Sequence, residues 1–131
     1  GKRLVCAGSV GNAIDRRAKP GPPVRTSLAK MAQMAFLHLK QGRWQVEYVR
    51  VPYDWQGALE DLKTSGLYQR APVWAAMLRY NILTGCDPFN TLPTRAAALY
   101  AQETGLPAPW SAVPEAYWER AAAEFHVSTI F

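Results

Sequence analysis

A short glycine-rich segment near the start of the chain has the residue types that hold an anion. Gly8-Ser9-Val10-Gly11 brings two glycines and a hydroxyl together within four residues. Glycine lets backbone N–H groups turn inward into a concave anion site, and arginine supplies a planar fork of donors for phosphate oxygens. A tight turn after a buried strand would explain the same four residues without any ligand. The candidate residues for binding an anion, or a substrate at the rim of its site, are Gly8, Ser9, Gly11, Asn12, Arg16 and Arg17.

Basic side chains are concentrated in the same part of the chain. Residues 1–30 carry seven lysines and arginines against one acid, Asp15, whereas the remainder carries eight basic and nine acidic side chains. A local positive cluster attracts phosphates and nucleic acid backbones, although a solvated basic loop would have the same composition. No aromatic residue lies between residues 12 and 30. This disfavours nucleic acid as a partner, because single strands bind by stacking their bases on aromatic rings.

The remaining polar residues do not form a catalytic set. His38 lies in an apolar stretch and is interpreted as a packed or edge histidine, and His126 has only Glu124 close by in sequence. Ser9 is preceded directly by Gly8, so it is not the nucleophile of a Gly-x-Ser-x-Gly elbow. We therefore predict no catalytic residue and no metal ligand in this chain. Cys6 and Cys86 are interpreted as free thiols of a cytoplasmic protein, with a single disulfide as the alternative.

Strands are predicted on both sides of the basic loop at residues 12–30. Residues 2–7 are predicted to form a short strand buried on both faces, which leads into Gly8. Residues 32–51 predict a β-hairpin with strands at 34–39 and 44–51, because apolar and polar residues alternate and Gly42 suits the turn. Trp44, Val46 and Tyr48 fall on one side of the second strand, which we expect to pack against a helix.

Four helices are predicted in the second part of the chain. Their capping residues and apolar spacing give residues 54–66, 72–85, 94–103 and 114–125. Residues 86–93, with prolines at positions 88 and 93, are predicted to form a linker, and residues 127–131 a last short strand or a frayed tail. No apolar run approaches the roughly 18 residues that a membrane span needs, and no signal peptide is visible.

The order of these segments resembles a known family. The series Gly8-Ser-Val-Gly-Asn-Ala-Ile-Asp15, then residues 34–39, then Arg50-Val-Pro-Tyr-Asp54, resembles the C-terminal half of the calcineurin-like metallophosphoesterases. The subgroup that it resembles is that of the small bacterial and archaeal phosphodiesterases, and the resemblance covers roughly residues 3–85. Family members usually have Asn-Pro where Cys6-Ala7 stand. Their metal-binding motifs, of the types Asp-x-His, Gly-Asp-x-x-Asp, Gly-Asn-His-Glu and Gly-His-Thr-His, would all precede Gly1.

The resemblance implies an α/β fold, seen here as an α+β segment of an α-β-β-α sandwich. Residues 1–85 would form the C-terminal lobe of a phosphoesterase-like domain, and residues 86–131 a helical extension of unknown role. The intact enzyme would hydrolyse phosphate esters with two divalent metals (Mn, Fe, Ni or Zn), none of them bound by this chain. In the resembling enzymes the loop at Gly8–Gly11 lies at the rim of the metal site. Alone, the 131-residue chain is expected to be inactive.

Two non-enzymatic functions compete with this interpretation. The chain could be a binding module that holds polyanions through the basic loop at residues 12–30. It could instead be an interaction module that complements a separate catalytic half or a second copy of itself, through the hairpin or the helices. In each case the chain is expected to have no membrane partner.

Overall fold

The computed structural model describes residues 4–9, 14 and 30–128. Within these residues the protein is a mixed α+β structure, with one two-stranded antiparallel sheet and five α-helices. The coarse fold class expected from the sequence is therefore confirmed. The strands come first along the chain and the helices follow.

The sheet is a β-hairpin formed by β1 (Met31–Lys40) and β2 (Arg43–Pro52). Both turn residues have positive φ angles, 49° at Gln41 and 71° at Gly42, as a two-residue turn of type I′ requires. The register pairs Leu39 with Trp44 and Ala35 with Tyr48. The hairpin is thus confirmed, and both strands are longer than the alternation predicted.

One face of the hairpin is apolar and uncovered. The register places five apolar side chains together at its turn end, and we call them the Trp44 face: Leu37, Leu39, Trp44, Val46 and Tyr48. Trp44 is 63% exposed and Tyr48 60% exposed. The prediction that this face packs against a helix was wrong, since none of the helices packs extensively against either strand. The helices bury their apolar side chains against one another instead.

The predicted first strand is also corrected. Its residues 2 and 3 lie outside the described part, residues 4–9 have no regular secondary structure, and Leu4 is 96% exposed rather than buried. They do lie beside the sheet, because the N–H of Gln33 donates a 3.0 Å hydrogen bond to the carbonyl oxygen of Ser9. A single bond of this kind does not make a ladder, so the segment follows the edge of β1 without becoming a strand.

Two short helices follow the hairpin. Helix α1 (Trp55–Thr64) begins as predicted, with the carboxylate of Asp54 accepting a 2.9 Å hydrogen bond from the N–H of Gly57. The ammonium group of Lys30 lies 4.3 Å from the centre of the Trp55 ring, which ties the start of β1 to this helix. Helix α2 (Leu67–Arg70) is a single turn that the sequence did not predict.

The last three helices are α3 (Pro72–Thr84), α4 (Pro88–Thr104) and α5 (Glu115–Glu124). A 3₁₀ turn, Trp110–Ala112, precedes α5. The predicted linker at residues 86–93 was wrong, because α4 already begins at Pro88 and runs through Pro93. Proline suits the first turn of a helix, where its missing N–H has no partner to lose. Pro93 does cost a helical bond, but its ring is fully buried and so contributes packing.

The hydrophobic core lies between these three helices. Its most buried large side chains are Met77 on α3 and Leu92 on α4, both at 0% exposure. Ala121 and Ala122 bring α5 close to them, and Val127 closes the far end. The domain boundary at residue 85 stays a prediction, and α3 shares this core with α4 and α5. Val127 and Ser128 form no strand, and residues 129–131 lie outside the described part.

Candidate anion site beside Gly8

A cavity of about 340 Å³ lies where residues 6–8 meet the hairpin. Residues 6–8 form one wall, and residues 33–34 of β1 with residues 48–50 of β2 form the other. We call it the Arg50 cavity. It lies at the end of the hairpin away from the turn, next to the Trp44 face, and Tyr48 belongs to both.

Gly8 can approach the sheet because it has no side chain. Its φ angle is +93°, a conformation that residues with a Cβ rarely adopt. A Cβ built at Gly8 would lie 2.6 Å from the Cβ of Gln33 and would also meet the amide oxygen of that side chain. Glycine is therefore required at this position for two separate reasons, and it sets how closely residues 6–8 pack on β1.

Arg50 gives the cavity its charge. Arg50 lies opposite Gln33 in the register, on the same face of the hairpin as Tyr48. Among the described residues it forms no ion pair, and no acidic side chain lines the cavity. Its guanidinium group has five N–H donors in a fork that matches a phosphate or carboxylate group. Among its described lining residues the cavity thus combines one cation without an ion pair, the phenol of Tyr48 and a partly apolar lining, which suits an anion with an organic substituent.

The structure places part of the predicted site at this cavity. Gly8 lines it and Ser9 follows directly, partly buried against β1. Four other candidates lie outside the described residues: Gly11, Asn12, Arg16 and Arg17. Sequence reasoning missed Arg50 and Tyr48 as site residues. The signal was present, because Arg50 opens the Arg-Val-Pro-Tyr-Asp series and alternation puts it on the face of Tyr48.

The histidines have other surroundings. His38 is exposed rather than packed, and its Nε2 lies 2.9 Å from Oε2 of Glu47 across the hairpin. His126 is exposed at the end of α5, and Glu124 pairs with Arg95 instead. In the part of the chain that the structure describes, no three His, Cys, Asp or Glu side chains come together. These residues do not fit the two metals that the resemblance implies, so any such ligands would have to lie elsewhere in the protein.

A second group of charged side chains joins α4 to α5. Arg95 donates two hydrogen bonds to Glu124, of 2.6 and 2.9 Å, and these bonds lower the pKa of that carboxyl group. Arg120, at 2.7 Å, and Tyr117, at 3.0 Å, both donate to Glu103, which lowers the pKa of Glu103. The bond to Glu103 also raises the pKa of the Tyr117 phenol. All five side chains are satisfied by one another, so this cluster stabilises the helix pair and offers no open site.

Comparison with known proteins does not assign the chain to a family. No family model, no curated protein and no solved structure matches it. Among the described residues, no helix is both long enough and apolar enough to cross a membrane.

Proposed function

We propose that this chain is the C-terminal segment of a metal-dependent phosphoesterase similar to the calcineurin-like enzymes. The Arg50 cavity would then hold the anionic part of the phosphate ester. The resemblance in the order of the motifs supports this proposal, as does the way in which Gly8 and Ser9 lie against the hairpin. In this assignment the catalytic metals belong to residues outside the described part.

One observation carries the proposal furthest. Residues that are about forty positions apart in the sequence, Gly8 and Arg50, line one cavity. They are also the residues at which two of the three resembling motifs begin. A tight turn that only reverses the chain would not need an arginine facing it across a cavity that, among the described residues, has no acidic lining and no ion pair for that arginine. This arrangement supports an anion site formed by the glycine-rich segment beside β1 and a cation on β2.

The chain's own residues would bind and orient rather than react. The guanidinium of Arg50 would neutralise a phosphate oxygen and fix the direction of the ester by its planar fork of donors. Cys6 and Ala7, on the wall across from the hairpin, would lie beside the organic substituent. Tyr48 would donate a hydrogen bond from its phenol to an ester oxygen.

The test compares the 131-residue chain with the product of the longest reading frame that contains it. With Mn²⁺ and an aryl phosphodiester, we expect no turnover above background from the chain alone. We expect chelator-sensitive hydrolysis from the longer product, encoded with Asp-x-His and Gly-His-Thr-His upstream. In that product Arg50→Ala should raise KM about tenfold or more, whereas Arg43→Ala, an exposed arginine at the turn, should leave it within twofold. A reading frame without these motifs, or equal KM values for the two variants, would contradict the proposal.

A further inference from the structure

The Trp44 face is an exposed apolar surface of the hairpin. Leu37 is 57% and Leu39 59% exposed, so four of its five side chains are more than half open to water. Soluble monomers rarely expose contiguous apolar patches of more than a few hundred Å². An isolated two-stranded hairpin is also only marginally stable in water and needs a further layer. Both points indicate that something covers this face in the working protein.

We infer that a second copy of the chain covers it, with the two hairpins packed face to face about a twofold axis. The register shows why the face is self-complementary. Its five side chains, together with Ala35, occupy three rows of the register: Leu39 with Trp44, Leu37 with Val46, and Ala35 with Tyr48. An axis that lies between the sheets and crosses the strands at the middle row exchanges the two outer rows. It places Trp44 over Tyr48 of the partner subunit and Leu39 over the small Ala35 of the partner subunit.

This arrangement pairs groups that fit each other. It creates two contacts between a Trp44 ring and a Tyr48 ring. Each pair can adopt the offset or tilted geometry that aromatic rings prefer. The bulky Leu39 meets the small side chain of Ala35, which allows the two layers to interdigitate. Leu37 and Val46 lie on the axis row and meet their own copies. Sheets that pack in this way are about 10 Å apart.

The distribution of charged side chains favours this face over the opposite one as the dimer interface. The Trp44 face contains no charged residue, and Arg50 lies beyond its edge. At the same turn end of the hairpin, the opposite face has Lys40 and Arg43 together with His38 and Glu47. Two copies that met through that face would have to desolvate these groups, which is costly. The Trp44 face can be buried without leaving a charge unpaired.

The area is sufficient for a weak but specific dimer. A covered Trp or Tyr side chain buries about 150–250 Å², and each ring here has about 60% of its surface exposed. Four rings and four leucines bring the interface of two copies to the order of 1,000 Å², where specific interfaces begin. We therefore expect a weak and reversible dimer.

The dimer has a consequence for the Arg50 cavity. Tyr48 lines that cavity, and Trp44 of the partner subunit lies over Tyr48 in the proposed packing. Each cavity would therefore gain an indole at its rim from the other copy. The inference does not rest on the proposed enzymatic function, because the exposed face and its register are the same whatever the cavity binds.

Sedimentation equilibrium of the 131-residue chain between 1 and ~200 μM tests the inference. We expect a monomer–dimer equilibrium that Trp44→Lys weakens at least tenfold. Phe36→Lys is the matched control, because Phe36 is 47% exposed on the opposite face of the same hairpin, and it should change the equilibrium less than twofold. Circular dichroism confirms that each variant is folded. A chain that stays monomeric throughout, or a control that weakens the dimer as much as Trp44→Lys, overturns the inference.

Cross-linking tests the twofold axis itself. With Cys6→Ser to remove the exposed thiol, Leu37→Cys should cross-link to its own copy through a bis-maleimide that spans about 10 Å. Phe36→Cys should not. Binding of another partner to the monomer is a separate outcome. An oligonucleotide or an added catalytic half is tested for binding to the wild-type chain and to Trp44→Lys. If either partner binds the monomer and the variant lowers its affinity, that partner occupies the face and the inference is overturned.

Discussion

The N–H of Gln33 donates a hydrogen bond of 3.0 Å to the carbonyl oxygen of Ser9, and this bond joins the glycine-rich segment to the hairpin. It fixes the position of the wall formed by residues 6–8 in the Arg50 cavity, because Gly8 directly precedes Ser9 and packs on the side chain of Gln33. The cavity therefore depends on two neighbouring contacts between the same pair of segments. Removing either one should open it.

Gly8→Ala is expected to separate residues 4–9 from β1. Alanine at this position meets both the strained φ angle and the side chain of Gln33. The amide of Gln33 should then exchange with solvent at least about fivefold faster, which corresponds to a loss of about 1 kcal/mol. Hydrogen exchange followed by NMR measures this residue by residue.

Gly42→Ala is the control for the φ angle alone, since Gly42 has a φ of +71° with open space around it. It should accelerate exchange throughout both strands, because it weakens the turn, whereas Gly8→Ala should act chiefly on Gln33. Unchanged exchange at Gln33 in the Gly8 variant would show that the contact contributes nothing.

Trp44→Ala is expected to change the free energy of unfolding of the monomer by less than about 0.5 kcal/mol. The ring is 63% exposed, so little surface returns to water when it is removed. Met77→Ala should cost about 2–5 kcal/mol, because Met77 is completely buried in the helical core. Urea titrations at low micromolar protein compare the two. A loss above about 2 kcal/mol for Trp44→Ala would mean that the ring is buried within the monomer after all.

Sulfate or phosphate soaked into crystals is expected to bind in the Arg50 cavity. The anion should lie within hydrogen-bond distance of the Arg50 guanidinium, because that group is the one cation among the described residues that line the cavity. Arg50→Met keeps much of the side-chain length without the charge and should abolish the density. An anion found only elsewhere, with residues 6–9 well ordered, would favour the interpretation of Gly8-Ser9-Val10-Gly11 as a simple turn.

Acid is expected to destabilise the contact between α4 and α5. Their ion pairs hold the pKa values of Glu103 and Glu124 below the usual value near 4.5. Such groups stabilise the folded state above the unfolded pKa, and this stabilisation is lost as the pH falls through the lower folded pKa. Melting temperatures measured from pH 7 to pH 3 should therefore drop below about pH 4.5.

The variant with Glu103→Gln and Glu124→Gln should show a shallower drop. Glu119→Gln removes a glutamate of α5 for which the described structure has no ion pair, and it should keep the wild-type profile. Parallel profiles for all three proteins would mean that the drop arises from other groups.

Local patterns in the sequence predicted the elements whose causes are local. The alternation from Trp44 to Tyr48 and the glycine at position 42 were enough for the hairpin, and Asp54 for the start of α1. They identify which side chains share a face, but not what covers that face, because a period of two is the same against a helix, a sheet or water. The expected helix over Trp44 failed for that reason.

Tertiary packing accounts for the other differences. Pro93 was interpreted as the end of a linker, since proline normally interrupts helices. Its burial beside Leu92 within the helical core offsets the lost hydrogen bond, and only the folded structure shows that burial. Arg50 could not be assigned to a site for a similar reason: its position depends on the hairpin register and on the approach of Gly8, which are contacts between distant parts of the chain.

The helical core also determines how the molecule comes apart. Met77, Leu92 and Ala121 are covered by other helices and by none of the strands. We therefore expect the hairpin to open locally while the helical core stays folded, as two cooperative units of different stability. The helices carry their own stabilising contacts at any dilution. The fraction of molecules with an ordered hairpin instead rises with the concentration of any partner that binds the hairpin.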